Sequence, residues 1–284
     1  MSRFRPDDPS ADASSGRNGL ICGAWGQTGD MTRDPEHALS FGQNVGDYER
    51  GRPGYPDEAV DWLLGHLDAR DVVDVGAGTG KFTASLVARS LAVTAVEPDD
   101  AMRARLAATL PTVTAVAGTA ESMPLPDASA DLVTLAQAWH WVDVASASRE
   151  IARVLRPGGA LALVWNIRDP EVPWVERLGE VMGSSEAERY NSIEPEVGAP
   201  FAIDDFEEFR WLNPLSRDEL LAMVTSRSYV IAMDAASRAT LLSELEILLD
   251  THPDLAGRTT YAMPYRTRVT IARVHPPHEP FPAG

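Results

Sequence analysis

The apolar positions of this chain fall into short unbroken runs separated by stretches of helical spacing. Val72, Val73 and Val75, Leu91 to Glu97, Thr112 to Val116, Asp131 to Ala138 and Ala160 to Trp165 are such runs, mostly apolar on both faces, as buried strands of a parallel sheet are. Between them apolar residues recur every three or four positions: Val60, Leu63, Leu64 and Leu67; Phe82, Leu86 and Val87; Val144, Ala147, Ile151, Val154 and Leu155. Asp57 and Asp143 are placed to cap the first and third of these helices, and Arg156 to Gly159 (RPGG) stops the third. Five strands alternating with helices between Arg70 and Asn166 predict a parallel sheet covered on both faces.

Beyond Asn166 the pattern changes. Residues 167–202 read as helical and then loose, Phe206 to Asn213 as a sixth strand, and Ser216 to Thr225 and Asp234 to Asp250 as helices. The last of these lines up Leu241, Leu242, Leu245, Leu248 and Leu249, so it packs on something. Tyr265 to Val274 alternates polar and apolar residues as an edge strand does. The reading is a single domain over 36–274 with helical insertions at about 167–202 and 214–258. Residues 1–35 carry no apolar period and are expected to be disordered, with Met31 a candidate start; the tail 275–284 is expected to fray.

Charge and cysteine content then narrow the chemistry. With 25 basic and 42 acidic residues among 284, the net charge of −17 repels nucleic acid and anionic membranes and favours a small-molecule substrate. The one cysteine, Cys22, excludes an intrachain disulfide and a cysteine-based zinc cluster. No apolar run reaches a membrane span and no secretory leader is visible, so a soluble, cytoplasmic protein is expected. No compact Asp, Asn and His group occurs at a strand end, and no metal is expected.

The most informative stretch is VVDVGAGTGKF, Val72 to Phe82: a strand, a glycine-rich turn and a helix start. Gly76, Gly78 and Gly80 open the turn to a ligand and let backbone amides and a helix N-terminus face it. A phosphate-cradling loop would need a glycine at Val75 and Ser or Thr at Phe82. The dinucleotide fingerprint also fits imperfectly, because the third glycine comes one residue early and Asp74 would repel a pyrophosphate. That carboxylate suits an ammonium or sulfonium group. Glu97 ends the second strand 19 positions after Gly78, near the spacing at which a carboxylate accepts from ribose hydroxyls. At the carboxyl end of the fourth strand, beside the glycine turn in an open α/β sheet, stand Gln137, Trp139, His140 and Trp141, with Trp165 and Asn166 on the same rim from the fifth. Arg52, in the aromatic and proline cluster with Tyr48 and Tyr55, either packs a turn or pairs with a ligand carboxylate.

An acid directly before a GxGxG turn, an acidic end to the second strand, the Glu121 segment and the LRPGG stop resemble, in that order, the class I S-adenosylmethionine-dependent methyltransferases. The resemblance covers about Ser40 to Val274. It implies a Rossmann-like, doubly wound seven-stranded sheet, mostly parallel with an antiparallel last strand, plus a helical lid, and S-adenosylmethionine as cofactor. The stretches YERGRPGYP, AWHWVD and MPYRTRVTIARV are similar to the trans-aconitate methyltransferases and related small-molecule enzymes. Carried over, the resemblance gives Arg52, Asp74, Gly76, Gly78, Gly80, Glu97, Pro98, Met102, Ala120, Glu121 and Gln137 to the cofactor, with Ala120 and Glu121 meeting the adenine amino group. Tyr48, Trp139, Trp141, Trp165, Asn166, Arg227 and Tyr229 fall to the acceptor. His140 is the candidate base or orienting group: a phenol or carbon acid would need it, a carboxylate would not. A dinucleotide-dependent oxidoreductase, and a protein that binds the cofactor but catalyses an isomerisation or cyclisation, are the alternatives.

Overall fold

The strand-forming runs become β1 (Asp71–Val75), β2 (Ala92–Val96), β3 (Thr114–Val116), β4 (Ala130–Ala136), β5 (Leu155–Arg168), β6 (Phe201–Ser216) and β7 (Thr260–Val274). They form one sheet in the order β3-β2-β1-β4-β5-β7-β6 in the computed structural model, which describes residues 51–183 and 195–275. Pairs from β3 to β5 are parallel, and β7 runs antiparallel to β5 on one side and β6 on the other. The N-terminal extension with Met31, the single cysteine, Tyr48 and the tail beyond His275 lie outside the described residues.

Period-two alternation sorts the side chains into two cores. On β5, Leu161, Leu163, Trp165 and Ile167 join Val73, Val75 and Leu135 on one face, closed by α4 (Val144–Val154) through Ala147, Ile151 and Val154. Ala160, Ala162 and Val164 join Val72 and Leu132 on the other, under α1 (Asp57–Gly65) and α2 (Lys81–Val87). Each fully buried leucine there, Leu63 and Leu86 among them, contributes roughly 1.5–3 kcal/mol. α3 (Asp100–Thr109) starts from Asp99, whose carboxylate accepts from the amides of Ala101 and Met102.

The last three strands are long, and their ends run past the rim of the short parallel ones. Onto this overhang pack α5 (Pro173–Met182), α6 (Arg217–Thr225) and α8 (Ala235–Thr251), burying Trp174, Leu178, Met223, Leu245, Tyr261 and Tyr265 in a third core. The short α7 (Ser228–Ile231) links α6 to α8. α6 begins with a capping box between Ser216 and Glu219.

Three local expectations are corrected. Asp57 does not cap α1; Pro56 holds that position, and the Asp57 carboxylate reaches across 32 residues to Arg89. α4 ends at Val154, and the RPGG segment is already the start of β5, where Arg156 pairs with Asp71 at 2.8 Å and with Asp131 at 2.6 Å. β7 is not an edge strand: β6 takes the edge, and of the polar residues of β7 Thr267 and Thr270 are buried while Arg266, Arg268 and Arg273 are half-buried. Alternation reports one solvated face, and a neighbour added in the sheet cannot be read from it.

Candidate functional site

Asp74 shares a face of β1 with Val72, which points it toward α2. Its two oxygens accept from the hydroxyls of Thr83 at 2.6 Å and Thr134 at 2.8 Å, and the group has no exposed surface. Burial pushes its pKa from 3.8 up to about 6, the two hydroxyls pulling the other way. Glu97 is also buried; Oε2 accepts from the Gly78 amide at 2.7 Å and Oε1 from the Asp99 amide at 2.9 Å. Burial raises its pKa too, against the pull of these amides.

The glycine turn is bent hard against β2. Gly76, Gly78 and Gly80 all have positive φ, and Gly80 is the left-handed N-cap of α2. A Cβ on Gly76 would lie 2.6 Å from that of Ala138. The amides of Gly76 and Ala77 donate to the Val96 carbonyl and that of Gly78 to Glu97, so these three do not face a ligand as expected. The turn offers a glycine floor and carboxylates rather than a ring of amides.

One cleft gathers Arg52, Asp74, Gly76, Gln137, Asn166 and Arg227. Gly51 brings Arg52 there: it is pressed so closely on α6 that a Cβ would meet the Met223 nitrogen at 2.5 Å. Gln137 has φ of +60° and donates from Nε2 to the Asn166 carbonyl at 2.8 Å. Across the rim, the His140 ring lies 4.7 Å from Trp141 and 5.2 Å from Trp165. Its Nδ1 is enclosed without a hydrogen-bond partner among the described residues, as are Arg227 Nε and the Tyr229 hydroxyl. Burial, then the charges of Arg52 and Arg227, push the His140 pKa down to about 3.

Other expected contacts are used elsewhere. Met102 and Ala120 are buried at 4% exposure and pack in hydrophobic cores. Glu121 accepts from the Asp143 amide at 2.8 Å, so its carboxylate helps to start α4. Pro98 is exposed on the turn after β2. Trp139 is core, with its indole N–H donating to the Glu196 carbonyl at 2.8 Å. Sequence reasoning missed Thr83 and Thr134, whose only signal was a hydroxyl residue inside an apolar run, the half-buried Arg168 and the buried Tyr265. Burial brings the Arg168 pKa down to about 10, with Arg227 the next cause, and the group stays charged. Among the described residues no three His, Cys, Asp or Glu side chains gather to hold a metal, and no helix is long and apolar enough to cross a membrane.

The donor set fits an S-adenosylmethionine-type ligand. Each oxygen of Glu97 keeps a second lone pair and Asp74, which also accepts from the Thr83 amide, keeps one, and both carboxyls have raised pKa values that a cation or hydroxyl donors would lower again. The charge on Asp74 thus costs stability in the unliganded chain. Because its folded pKa of about 6 exceeds the unfolded 3.8, its contribution is favourable below about pH 4 and lost as the pH rises through 6. Asp74→Asn is therefore expected to stabilise the unliganded protein by roughly 3 kcal/mol at pH 8 and hardly at all near pH 4, while weakening cofactor binding. Urea unfolding at the two pH values checks it; a variant no more stable than the parent at pH 8 contradicts it.

A family model described as "Methyltransferase domain" matches residues 73–163. An uncharacterized methyltransferase of Mycobacterium tuberculosis is 50% identical over 239 residues, covering 83% of this chain and 97% of its own. An uncharacterized methyltransferase-like protein of Schizosaccharomyces pombe is 31% identical, over 84% of this chain and 96% of its own. Among solved structures, a protein from Anaeromyxobacter dehalogenans, described only provisionally as a type II methyltransferase, superposes with a TM-score of 0.59. It is 29% identical and covers 80% of this chain and 99% of its own.

Proposed function

This chain belongs to the class I S-adenosylmethionine-dependent methyltransferases, and from that premise we propose that it methylates an oxygen of a small molecule that is already ionised, a carboxylate before a phenol or carbon acid. The observation that carries this reading is His140. Its Nδ1 is enclosed without a hydrogen-bond partner among the described residues, and burial beside Arg52 and Arg227 lowers its pKa to about 3, so the ring is not poised as a base at neutral pH and an acceptor already ionised suits this site best. The bound cofactor would supply a methyl group made electrophilic by the sulfonium it sits on.

The residues that would hold the cofactor are Arg52 for its carboxylate, Asp74 for its ammonium group, and Glu97 for the ribose, over the floor made by Gly76 and Gln137. Trp141, Arg227 and Tyr229 would frame the acceptor side, with neutral His140, backed by the core residue Trp165, offering a hydrogen bond. The likeness of the YERGRPGYP and AWHWVD stretches to the trans-aconitate methyltransferase group supports a small-molecule acceptor. In-line displacement needs alignment and exclusion of water more than proton transfer, and the role given to these residues is of that kind.

The test is mass spectrometry of a metabolite pool incubated with enzyme and methyl-labelled cofactor; label in an ester supports the reading, and label on carbon or nitrogen overturns it. For the preferred acceptor, the kcat profile should show no His140 inflection between pH 5 and 8, and His140→Gln should keep activity within about threefold. An inflection near neutrality that His140→Gln abolishes would make His140 the base after all. Because this folded pKa is depressed, the neutral ring contributes stability above the unfolded value of 6.5, and that contribution is lost as the pH falls toward 3.

A further inference from the structure

Residues 51–55 form a strap. It is anchored at one end by Gly51 against the backbone of α6 and at the other by Tyr55, whose ring meets Phe82 of α2 edge-on at 4.8 Å. Arg52, Pro53 and Tyr55 of this strap line the cleft opposite Asp74 and Gly76. Between the anchors Asn166 Nδ2 donates to the Gly54 carbonyl at 2.8 Å and ties the strap to β5.

That bond depends on which way the Asn166 amide faces. On the other side, Asn166 Oδ1 accepts from the Thr267 hydroxyl at 2.6 Å, the two residues lying opposite each other in the β5–β7 register. Thr267, fully buried, in turn accepts from the Trp211 indole N–H at 2.8 Å. The Gly54 carbonyl can only accept and the indole nitrogen can only donate, so the sense runs one way: the indole N–H donates to the Thr267 oxygen, the threonine proton goes to Asn166 Oδ1, and the Asn166 NH2 donates to Gly54. The asparagine oxygen is then spoken for, and its NH2 has to face the strap. The Trp211 ring is fixed by stacking on Tyr265 at 5.3 Å. Both polar atoms of the Asn166 side chain thus have a partner within the protein, while the residue also lines the cleft.

We propose that Trp211, Thr267 and Asn166 form a polarised hydrogen-bond latch that holds the strap, and with it Arg52, closed over the cofactor cleft. Asn166 is a positioning residue: it acts on the ligand through Gly54 and Arg52. The latch crosses β6, β7 and β5, so it couples the acceptor-side overhang to cofactor binding. Its effect on cofactor affinity rests on the cleft being the cofactor site; its effect on the strap does not.

Asn166→Asp keeps size and the acceptor for Thr267 but cannot donate to Gly54. In the full unliganded chain, hydrogen exchange at the Gly54 and Tyr55 amides should speed up at least about tenfold while the β5 and β7 amides stay protected. Calorimetry should show S-adenosylmethionine binding weakened about tenfold or more in Asn166→Asp and less in Trp211→Phe, which keeps the ring. The double variant should bind no more weakly than Asn166→Asp alone, as members of one relay do. Unchanged strap exchange in Asn166→Asp, or additive losses in the double variant, would overturn the latch. A parent chain that fails to bind the cofactor, with the strap effect intact, would refute the functional reading and leave the latch standing. Should Asn166→Asp fail to fold, Thr267→Val, close in shape and lacking the hydroxyl, carries the same expectations.

Discussion

Replacing Gly76 with valine is expected to lower cofactor affinity by at least about 100-fold and to cost the fold several kcal/mol. The backbone at this position has φ of +65°, where a β-branched side chain is strongly disfavoured, and its first carbon would sit 2.6 Å from the Ala138 Cβ, closer than two carbons can pack. Relief requires the end of β1 and the segment after β4 to part, and the cleft floor lies between them. The Gly76 amide, which donates to the Val96 carbonyl at 2.8 Å, would be displaced as well. Calorimetry with S-adenosylmethionine and urea unfolding read the two effects. Gly179→Ala in α5 is the control: a Cβ there meets nothing within 4 Å, so the helix should gain roughly 0.5–1 kcal/mol. A Gly76→Val protein that binds the cofactor normally would mean that the glycine turn is not the site.

The second large effect is predicted for Glu97. Were its carboxylate only a ribose acceptor, its removal would leave the unliganded fold untouched. In the structure it accepts from two buried amides, Gly78 at 2.7 Å and Asp99 at 2.9 Å, and so ties the glycine turn to the start of α3. Glu97→Ala strands both donors, at roughly 1–3 kcal/mol each, with some relief from removing a carboxylate whose burial raises its pKa. The two stranded donors set a ceiling of about 6 kcal/mol, and the unliganded chain should lose less than that by the amount of this relief, with cofactor binding lost as well. Glu97→Gln keeps one acceptor and should fall in between. Chemical unfolding without ligand decides: undiminished stability in Glu97→Ala would leave Glu97 with a ligand role alone.

Both predictions concern residues that the sequence already singled out, yet the reasons differ from those the sequence suggested. The glycines were legible because a GxGxG turn after a β-branched run has few other uses. Their amides, expected to face a ligand, instead satisfy Val96 and Glu97, because the end of β2 lies directly against the turn. Glu121, Met102 and Trp139 show the same limit. Each carries chemistry that suits a ligand, and each is spent on a helix start or a core whose other half lies elsewhere in the chain.

What the sequence determined by itself is the succession of elements: five strand runs alternating with helices, a capped helix at Asp143, a leucine-lined helix later on, and an acid before three closely spaced glycines. These are set by neighbours within a turn or two, and periodicity reports them directly. The tertiary structure alone decided that β7 enters the sheet between β5 and β6, that Thr83 and Thr134 hold Asp74, and that Asn166 bridges Thr267 and the strap. The Asp74–Thr134 pair is 60 residues apart and the Asn166–Thr267 pair 101, separations over which strand order and register choose the partner. The same holds for His140: its sequence shows a titratable ring between two indoles, and only burial beside Arg52 and Arg227 makes it a neutral one.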